Sequence, residues 1–336
     1  MPGQPLLLGV DGGNSKTHLM LARADGTLLG AVAGPTTSHQ QVPMPRAMDR
    51  LVALAEAAAT QTGLDVRRRP VADVAVVCSA GADLPSDLRR LRAAVAGSGL
   101  ARTARVLNDG FAPLRAGSRR GWGVALICGA GVNCVGVAPD GRTASFPALG
   151  DISGDWGGGS SVGMAALQAA VRARDGRGPR TSLERAVPRL FAVRRPIDVT
   201  AALYHGRLPQ AALRDLAPVV FRAAGDGDEV ARRILDRLGD ELAVMAAAII
   251  RRLRLARRDL DVVLSGGLFA ASDLTLVERV RSGVLRVAPA ASVQPLDVPP
   301  VLGAVLLALD AAGTAGPEAE ARLRAQRLVL EPVTIA

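Results

Sequence analysis

The sequence predicts an α/β protein of two related halves, each a mixed sheet flanked by helices. Three observations carry that prediction. Short apolar runs ended by glycine turns alternate with segments whose apolar residues recur at helical spacing. A unit of strand, glycine turn, strand and Asp-Gly turn occurs twice, as in an internal duplication. And 336 residues are enough for about two domains, each with its own core.

The first copy runs through an apolar strand at 6–10, the turn Asp11-Gly12-Gly13, a second strand at 17–24, the hairpin signal Asp25-Gly26 and a third strand at 28–32. A helix is expected at 48–59, a buried strand at 71–77, a helix at 85–96, and a strand at 104–107 that ends on Asn108-Asp109. The second copy has a strand at 123–128, the turn Gly129-Ala130-Gly131, a strand at 132–138 and the turn Asp140-Gly141. After the glycine-rich stretch 150–159 the pattern is mostly helical: 160–174, 198–205, 210–224 and 228–257. A strand at 261–264 ends in Ser265-Gly266-Gly267 and a helix follows. A strand at 292–296, a helix at 300–311 opened by proline, and a surface helix at 317–327 complete the chain. The break falls near 114–121. Residues 1–115 are expected to form the first domain, and 116–312 the second, with a helical insertion at about 160–257. Residues 313–336 are expected to be a C-terminal helix and tail.

Composition narrows the function. The net charge of +10 raises nucleic-acid binding, but the excess is arginine spread along helices. Aromatic residues are 2%, too few for base-stacking platforms, so nucleic acid is not expected as a partner. Lys16 is the sole lysine, and it lies in the most glycine-rich part of the N-terminus, by chance or by use. The N-terminus lacks the basic start and cleavage site of a signal peptide, and no apolar run reaches the roughly 18 residues of a membrane span. Cys78, Cys128 and Cys134 are too few and too scattered for a disulfide framework, so the reducing cytoplasm is the expected location.

Four segments carry candidate chemistry, each just past an apolar strand, where ligands gather in open α/β sheets. In Asp11-Gly12-Gly13-Asn14-Ser15-Lys16-Thr17, glycine backbone N–H groups can close on phosphate oxygens, and Ser15, Lys16 and Thr17 can add donors and charge. Asp11 can hold Mg²⁺, directly or through water. A plain hairpin turn explains the same residues. Gly129-Ala130-Gly131-Val132-Asn133-Cys134 occupies the matching turn of the second copy, and the two turns would clasp a triphosphate from both sides. Asn108-Asp109 is either a helix cap or a carboxylate that accepts a hydroxyl proton during phosphoryl transfer. Ser265-Gly266-Gly267-Leu268 leaves room for a flat base or ribose at a helix start.

Taken in this order, the four resemble the phosphate-1, phosphate-2 and adenosine motifs of the actin/hexokinase/Hsp70 superfold. That is a two-domain, ribonuclease H-like ATPase fold with duplicated mixed sheets and an interdomain nucleotide cleft. More closely, the chain resembles, from about residue 7 to 309, the family joining N-acetylglucosamine kinases with BadF/BadG/BcrA/BcrD-type ATPases. Its most telling stretch is Gly150-Asp151-Ile152-Ser153-Gly154-Asp155-Trp156-Gly157-Gly158-Gly159, followed by a small-residue helix and Asp175-Gly176-Arg177-Gly178. It is similar to a Gly-Asp-Glu-Gly-Ser loop that helps bind sugar.

The resemblance implies roles residue by residue. Asp109 is the expected general base and Asp11 the phosphate-1 aspartate acting through Mg²⁺. Gly12, Gly13, Asn14, Ser15, Lys16 and Thr17 would bind ATP with Gly129, Ala130, Gly131, Gly266 and Gly267. Asp155 and Asn133 would face the sugar. Ser38-His39 falls where amino-sugar kinases carry an Asn-His pair beside the substrate, Ser79-Ala80-Gly81 matches a Ser-Gly turn near the site, and Ser38, His39, Ser79 and Asn108 are expected to bind substrate with Asp155 and Asn133. Three departures bear on the substrate: Ala130 replaces threonine, Ser38 replaces asparagine, and Trp156 stands where glutamate is usual. Trp156 either stacks on a sugar or packs in the core, and His39 either binds substrate or is structural.

The expected function is therefore ATP-dependent phosphorylation of a small sugar such as N-acetylglucosamine. The alternatives are an ATPase that activates a reductase or dehydratase through a shared iron–sulfur cluster, and a nucleotide-binding module without transfer chemistry. For the former, Cys128 and Cys134 hug the phosphate turn and read instead as buried apolar residues. Members of the family tend to dimerise, and the resemblance carries that expectation, although nothing in the sequence marks an interface.

Overall fold

A computed structural model describes residues 4–63, 70–270, 274–313 and 316–335. The chain forms two compact units, Met1–Gly123 with Leu296–Ala336, and Val124–Pro295.

The first unit opens with β1 (Leu6–Gly12), β2 (Lys16–Arg23) and β3 (Leu28–Pro35), an antiparallel meander. Its core is built mainly of apolar residues: Leu7, Leu8, Val10, Leu19, Met20 and Leu21 are fully buried. Helix α1 (Met44–Thr60) starts a turn earlier than apolar spacing suggests, because Pro45 is pre-shaped for a first helical turn. Next come β4 (Ala72–Ser79), α2 (Pro85–Gly97), β5 (Ala101–Asn108) and α3 (Phe111–Gly117). β5 is longer than expected from sequence: Arg102, Thr103 and Arg105 are exposed, and such residues on an outer strand hide the apolar pattern. β4 pairs in parallel with both β1 and β5.

The second unit takes β6 (Gly123–Cys128), β7 (Val132–Val137) and the short β8 (Thr143–Ser145). A 3₁₀ turn at Gly150–Ser153 leads into α4 (Gly158–Arg174), then α5 (Leu183–Leu190) and α6 (Pro196–Tyr204). Residues 210–224, expected as one helix, divide into a 3₁₀ segment Gln210–Leu216 and α7 (Ala217–Gly225), with Pro218 in the first turn of the new helix. Helix α8 (Glu229–Arg252) is capped by the Asp228 carboxylate, which accepts the Val230 and Ala231 N–H groups at 2.9 and 3.0 Å. β9 (Asp261–Ser265), α9 (Gly267–Ala270), α10 (Leu274–Leu285) and β10 (Ser292–Pro295) follow, with β9 parallel to β6 and to β10.

The duplication is visible in strand order. The first sheet reads β3-β2-β1-β4-β5 and the second β8-β7-β6-β9-β10. The first carries one addition, β11 (Glu331–Pro332), parallel to β3.

The C-terminal segment corrects the domain boundaries expected from sequence. Instead of 296–312 staying with the second half and 313–336 forming a tail, the whole stretch belongs to the first unit. The reason lies in α11 (Val301–Ala311), whose Val301, Leu302, Ala304, Val305, Leu306, Ala308 and Leu309 are all buried, in one cluster with Leu7 and Met20 of the first sheet. Each fully buried Val or Leu contributes about 1.5–3 kcal/mol. Gly303 permits the approach to α3, since a Cβ there would stand 1.8 Å from the Ala112 carbonyl oxygen. Helix α12 (Pro317–Ala325) is fastened by charge. Arg115 on α3, 6% exposed, donates to Asp310 (2.9 and 3.2 Å) and to both oxygens of Glu320 (2.8 and 2.7 Å). Arg324 donates to Glu320 and to the Ala116 and Arg115 carbonyls. Among the described residues no helix is long and apolar enough to cross a membrane.

Candidate active site

In the first unit, sheet register assembles the predicted residues. Gly12 pairs with Ser79, and Ser79 with Asn108, so the carboxyl ends of β1, β4 and β5 lie side by side. The Ala80 N–H bonds the Gly12 carbonyl at 2.7 Å. Asp11, Ser79, Asn108 and Asp109 thus gather at one sheet edge from three distant stretches of chain.

The turn after β1 is closed by the Gly13 N–H on the Lys16 carbonyl at 3.0 Å, and by the Thr36 hydroxyl on the Gly13 carbonyl at 2.8 Å. Asn14, Ser15 and Lys16 are exposed at its tip, and Asn14 Nδ2 donates to Gln40 Oε1 at 3.2 Å. Thr17 differs from expectation. It is fully buried, its hydroxyl bonded to that of Thr37 at 3.0 Å, so it braces β2 rather than offering a donor at the turn.

Burial and the neighbouring Asp109 carboxylate push Asp11 up to about 7, with Lys16 pulling the other way. His18 Nδ1 lies 3.9 Å from Asp11 Oδ2, but burial and Lys16 push His18 down to about 4, so the imidazole is neutral and this is no ion pair. Asp109 is not the cap of α3: that position is Gly110, and no side chain caps it. Asp109 follows the β5 end directly, and its charge acts on Asp11 and Asp83.

The neighbouring residues are more enclosed than the resemblance implies. Ser38 is fully buried and its Oγ accepts the Gln40 N–H at 3.3 Å. The Ser79 hydroxyl donates to the Ala80 carbonyl at 3.0 Å. Among the described residues His39 Nδ1 is buried without a hydrogen-bond partner, an orphan that a ligand group would satisfy. Asn108 donates through Nδ2 to Asp83 Oδ1 at 2.7 Å and accepts the Gly110 N–H at 2.9 Å. Asp83 was missed in the sequence. Burial and the charges of Asp109 and Asp87 push it up to about 7, against hydrogen bonds from Asn108 and Gln40. Its one sequence signal is its place behind the Ser79-Ala80-Gly81 turn.

The second unit contributes backbone rather than charge. The Gly129 N–H bonds the Gly131 carbonyl at 2.9 Å. The first turn of α4 reaches back to this loop: the Gly159 and Ser160 N–H groups donate to the Gly129 and Ala130 carbonyls at 2.8 and 2.9 Å. Gly158 makes this possible, with φ +72° and a virtual Cβ 2.5 Å from the Gly131 backbone. Gly266 has φ +109°, and a Cβ there would stand 2.3 Å from the Cys128 carbonyl oxygen; its smallness serves the β6–β9 contact, whereas Gly267 faces open space.

Asn133 is buried and its Oδ1 accepts the Cys134 N–H at 2.8 Å. Asp155 is hydrogen-bonded to the Ser153 hydroxyl. Ala130, Gly131, Asp155, Trp156, Ser160 and Arg237 help to line a cavity of about 690 Å³. Trp156 is half-buried, with the Arg237 guanidinium 4.0 Å from its ring centre, so it is a wall of this cavity and not a core residue. Cys128 and Cys134 are fully buried, and burial pushes the Cys128 thiol up to about 12 and Cys134 higher still. They are interior apolar residues, as expected.

The comparisons agree with this geometry. Residues 8–308 match the BadF/BadG/BcrA/BcrD ATPase family. The N-acetylmuramic acid/N-acetylglucosamine kinase of Clostridium acetobutylicum is 27% identical over 266 residues, covering 78% of this chain and 84% of the relative. The N-acetyl-D-glucosamine kinase of Dictyostelium discoideum is 24% identical over 314 residues, covering 91% and 98%. The crystal structure of a candidate N-acetylglucosamine kinase from Chromobacterium violaceum superposes with a TM-score of 0.71 at 26% identity, covering 91% of this chain and 99% of that one. A ROK family glucokinase from Streptomyces griseus, crystallised with glucose and AMPPNP, shares the fold at a TM-score of 0.54 and 16% identity, with coverage of 90% and 98%. Duplicated strand order, paired glycine turns and a family match spanning nearly the whole length lead to one assignment: the chain belongs to the BadF/BadG/BcrA/BcrD ATPase family.

Proposed function

We propose that this protein is an ATP-dependent kinase that phosphorylates a hydroxyl of N-acetylglucosamine or a closely related amino sugar. The observation that carries the reading is the meeting of three strand ends that brings Asp11, Ser79 and Asn108-Asp109 together beside a glycine turn. The kinase names of the two curated relatives point the same way.

In this reading Asp109 accepts the proton of the attacking hydroxyl. The oxygen bonds to the γ-phosphorus, the bond to the β-phosphate oxygen breaks, and ADP leaves. Each unit carries a turn suited to phosphate oxygens, Gly12-Gly13 with the exposed Lys16 in the first and Gly129–Gly131 in the second. Asp155, Asn133 and His39 would orient the sugar, and Trp156 would offer an apolar ring face.

The donor set fits Mg²⁺. Its oxygen ligands are hard, and Asp11 is pushed up by burial and then by the Asp109 carboxylate, whose repulsion a cation would relieve. Bound there, Mg²⁺ would neutralise charge on the phosphate oxygens. We place the reaction in the cytoplasm, where three buried free thiols would stay reduced, and expect a homodimer.

The test is ADP release measured with N-acetylglucosamine, N-acetylmuramic acid, glucosamine, glucose and no acceptor. Release that depends on an amino sugar supports the reading. Equal release without acceptor favours an ATPase, and binding without release favours a nucleotide-binding module.

A further inference from the structure

Asp109 stands between two residues that its neighbours hold in place. Asn108 Oδ1 accepts the Gly110 N–H at 2.9 Å, a side-chain turn that bridges across Asp109. The same amide donates through Nδ2 to Asp83 Oδ1 at 2.7 Å. A primary amide has an accepting end and a donating end, and they are not interchangeable here. A backbone N–H on one side demands the oxygen, and the Asp83 Oδ1 that accepts on the other takes the nitrogen. Asp83 therefore selects the one amide orientation that closes the turn around Asp109.

Asp83 reaches this place through the fold. β4 and β5 run in parallel with Ser79 opposite Asn108, and the chain turns after Ser79 with Gly81 at φ +81°. Gly81 lies against His39 and Gln40: a Cβ there would stand 2.7 Å from His39 Cε1 and 2.9 Å from Gln40. The half-buried Asp83 follows two residues later, beside the β5 end.

We propose that Asp83 is a positioning residue for phosphoryl transfer, acting through the Asn108 amide to hold the turn that presents Asp109 to the acceptor hydroxyl. Its effect on turnover rests on the kinase reading, whereas its effect on the turn does not.

Two variants separate the possibilities. Asp83→Ala removes the acceptor. Asp83→Asn keeps a carbonyl oxygen for Asn108 Nδ2 while removing the charge. With N-acetylglucosamine as acceptor, Asp83→Ala should lower kcat by on the order of tenfold to a hundredfold, the scale for a reacting group displaced by a fraction of an ångström or more. KM for ATP should be unchanged, and Asp83→Asn should recover most of the loss. In an Asp109→Asn background Asp83→Ala should add nothing, because its effect runs through Asp109. Hydrogen exchange of the Gly110 amide should quicken in Asp83→Ala and stay slow in Asp83→Asn. Wild-type kcat in Asp83→Ala, or equal impairment in both variants, overturns the proposal. Unchanged Gly110 exchange in Asp83→Ala overturns it too, whatever reaction the protein catalyses. A wild-type protein that phosphorylates no sugar would instead count against the kinase reading.

Discussion

The two units share a strand order and divide the chemistry. Where the turn after β1 opens with Asp11, the turn after β6 opens with Cys128, a buried thiol. Where β5 ends in Asn108 with Asp109 directly behind it, β10 ends in Pro295 and Leu296 follows. The first unit gathers carboxylates, and the second builds a backbone cradle braced by a helix start. The same strand order thus carries different chemistry at its strand ends in the two units. The units also differ in continuity. The second is one unbroken stretch, whereas the first is closed by a segment returning from the C-terminus.

That last difference gives the largest expected effect. Arg115→Ala leaves Asp310 and Glu320 without their shared cation and should destabilise the first unit by about 3–5 kcal/mol, the range for breaking a buried ion pair from one side. Hydrogen exchange followed by unit should show loss of protection in residues 1–123 while 124–295 keep theirs; equal loss in both would remove the distinction.

Next is the asymmetry of the acids. Asp109→Asn should lower sugar-dependent turnover by at least about a hundredfold while ATP affinity is kept, since a general base lost from one unit leaves the phosphate cradles whole. Titration of ATP alongside the ADP-release assay checks both halves of the statement.

The cradle of the second unit is tested at Gly158. Gly158→Ala forces a Cβ into the Gly131 backbone at a positive φ, which should cost about 1–3 kcal/mol and raise KM for ATP. Gly129→Ala, which meets open space, is the control for stability and should leave the melting temperature nearly unchanged. Equal melting temperatures in the two variants would mean that the α4 start does not brace the loop.

The smallest effect is a pH dependence confined to the first unit. Asp11 is raised from 3.8 to about 7, so the nucleotide-free fold keeps a proton that the unfolded chain releases. Stability should therefore fall as pH rises through that window and level off above it. Asp11→Asn should outlast the wild type by on the order of 2 kcal/mol above the window and match it below. Glu320 runs the other way: the Arg115 hydrogen bond holds it at about 2 instead of 4.5, a contribution lost as pH falls between those values. A constant difference between wild type and Asp11→Asn across pH would dismiss the raised carboxyl.

Much of this was legible in the sequence because turns announce themselves. Asp25-Gly26 and Asp140-Gly141 fixed both hairpins, and glycines after apolar runs marked three of the strand ends that matter. Contacts between distant stretches were not legible. Nothing near Asp83 signals a bond to Asn108, and an all-apolar helix such as α11 does not say which sheet it covers. Short elements also escaped. α5 carries Pro188 within it, and β8 and β11 are three and two residues long, too brief for any periodicity. Thr17 read as a ligand because it closes a run of candidate phosphate-turn residues; only the Thr37 contact shows that it faces inward.

The exposed tip of the first glycine turn has a practical consequence. Because Lys16 is the chain's one lysine, amine-directed acylation has a single internal address, and that address is the phosphate turn itself. A reporter dye placed there would test directly whether nucleotide reaches this turn, with no other lysine to label.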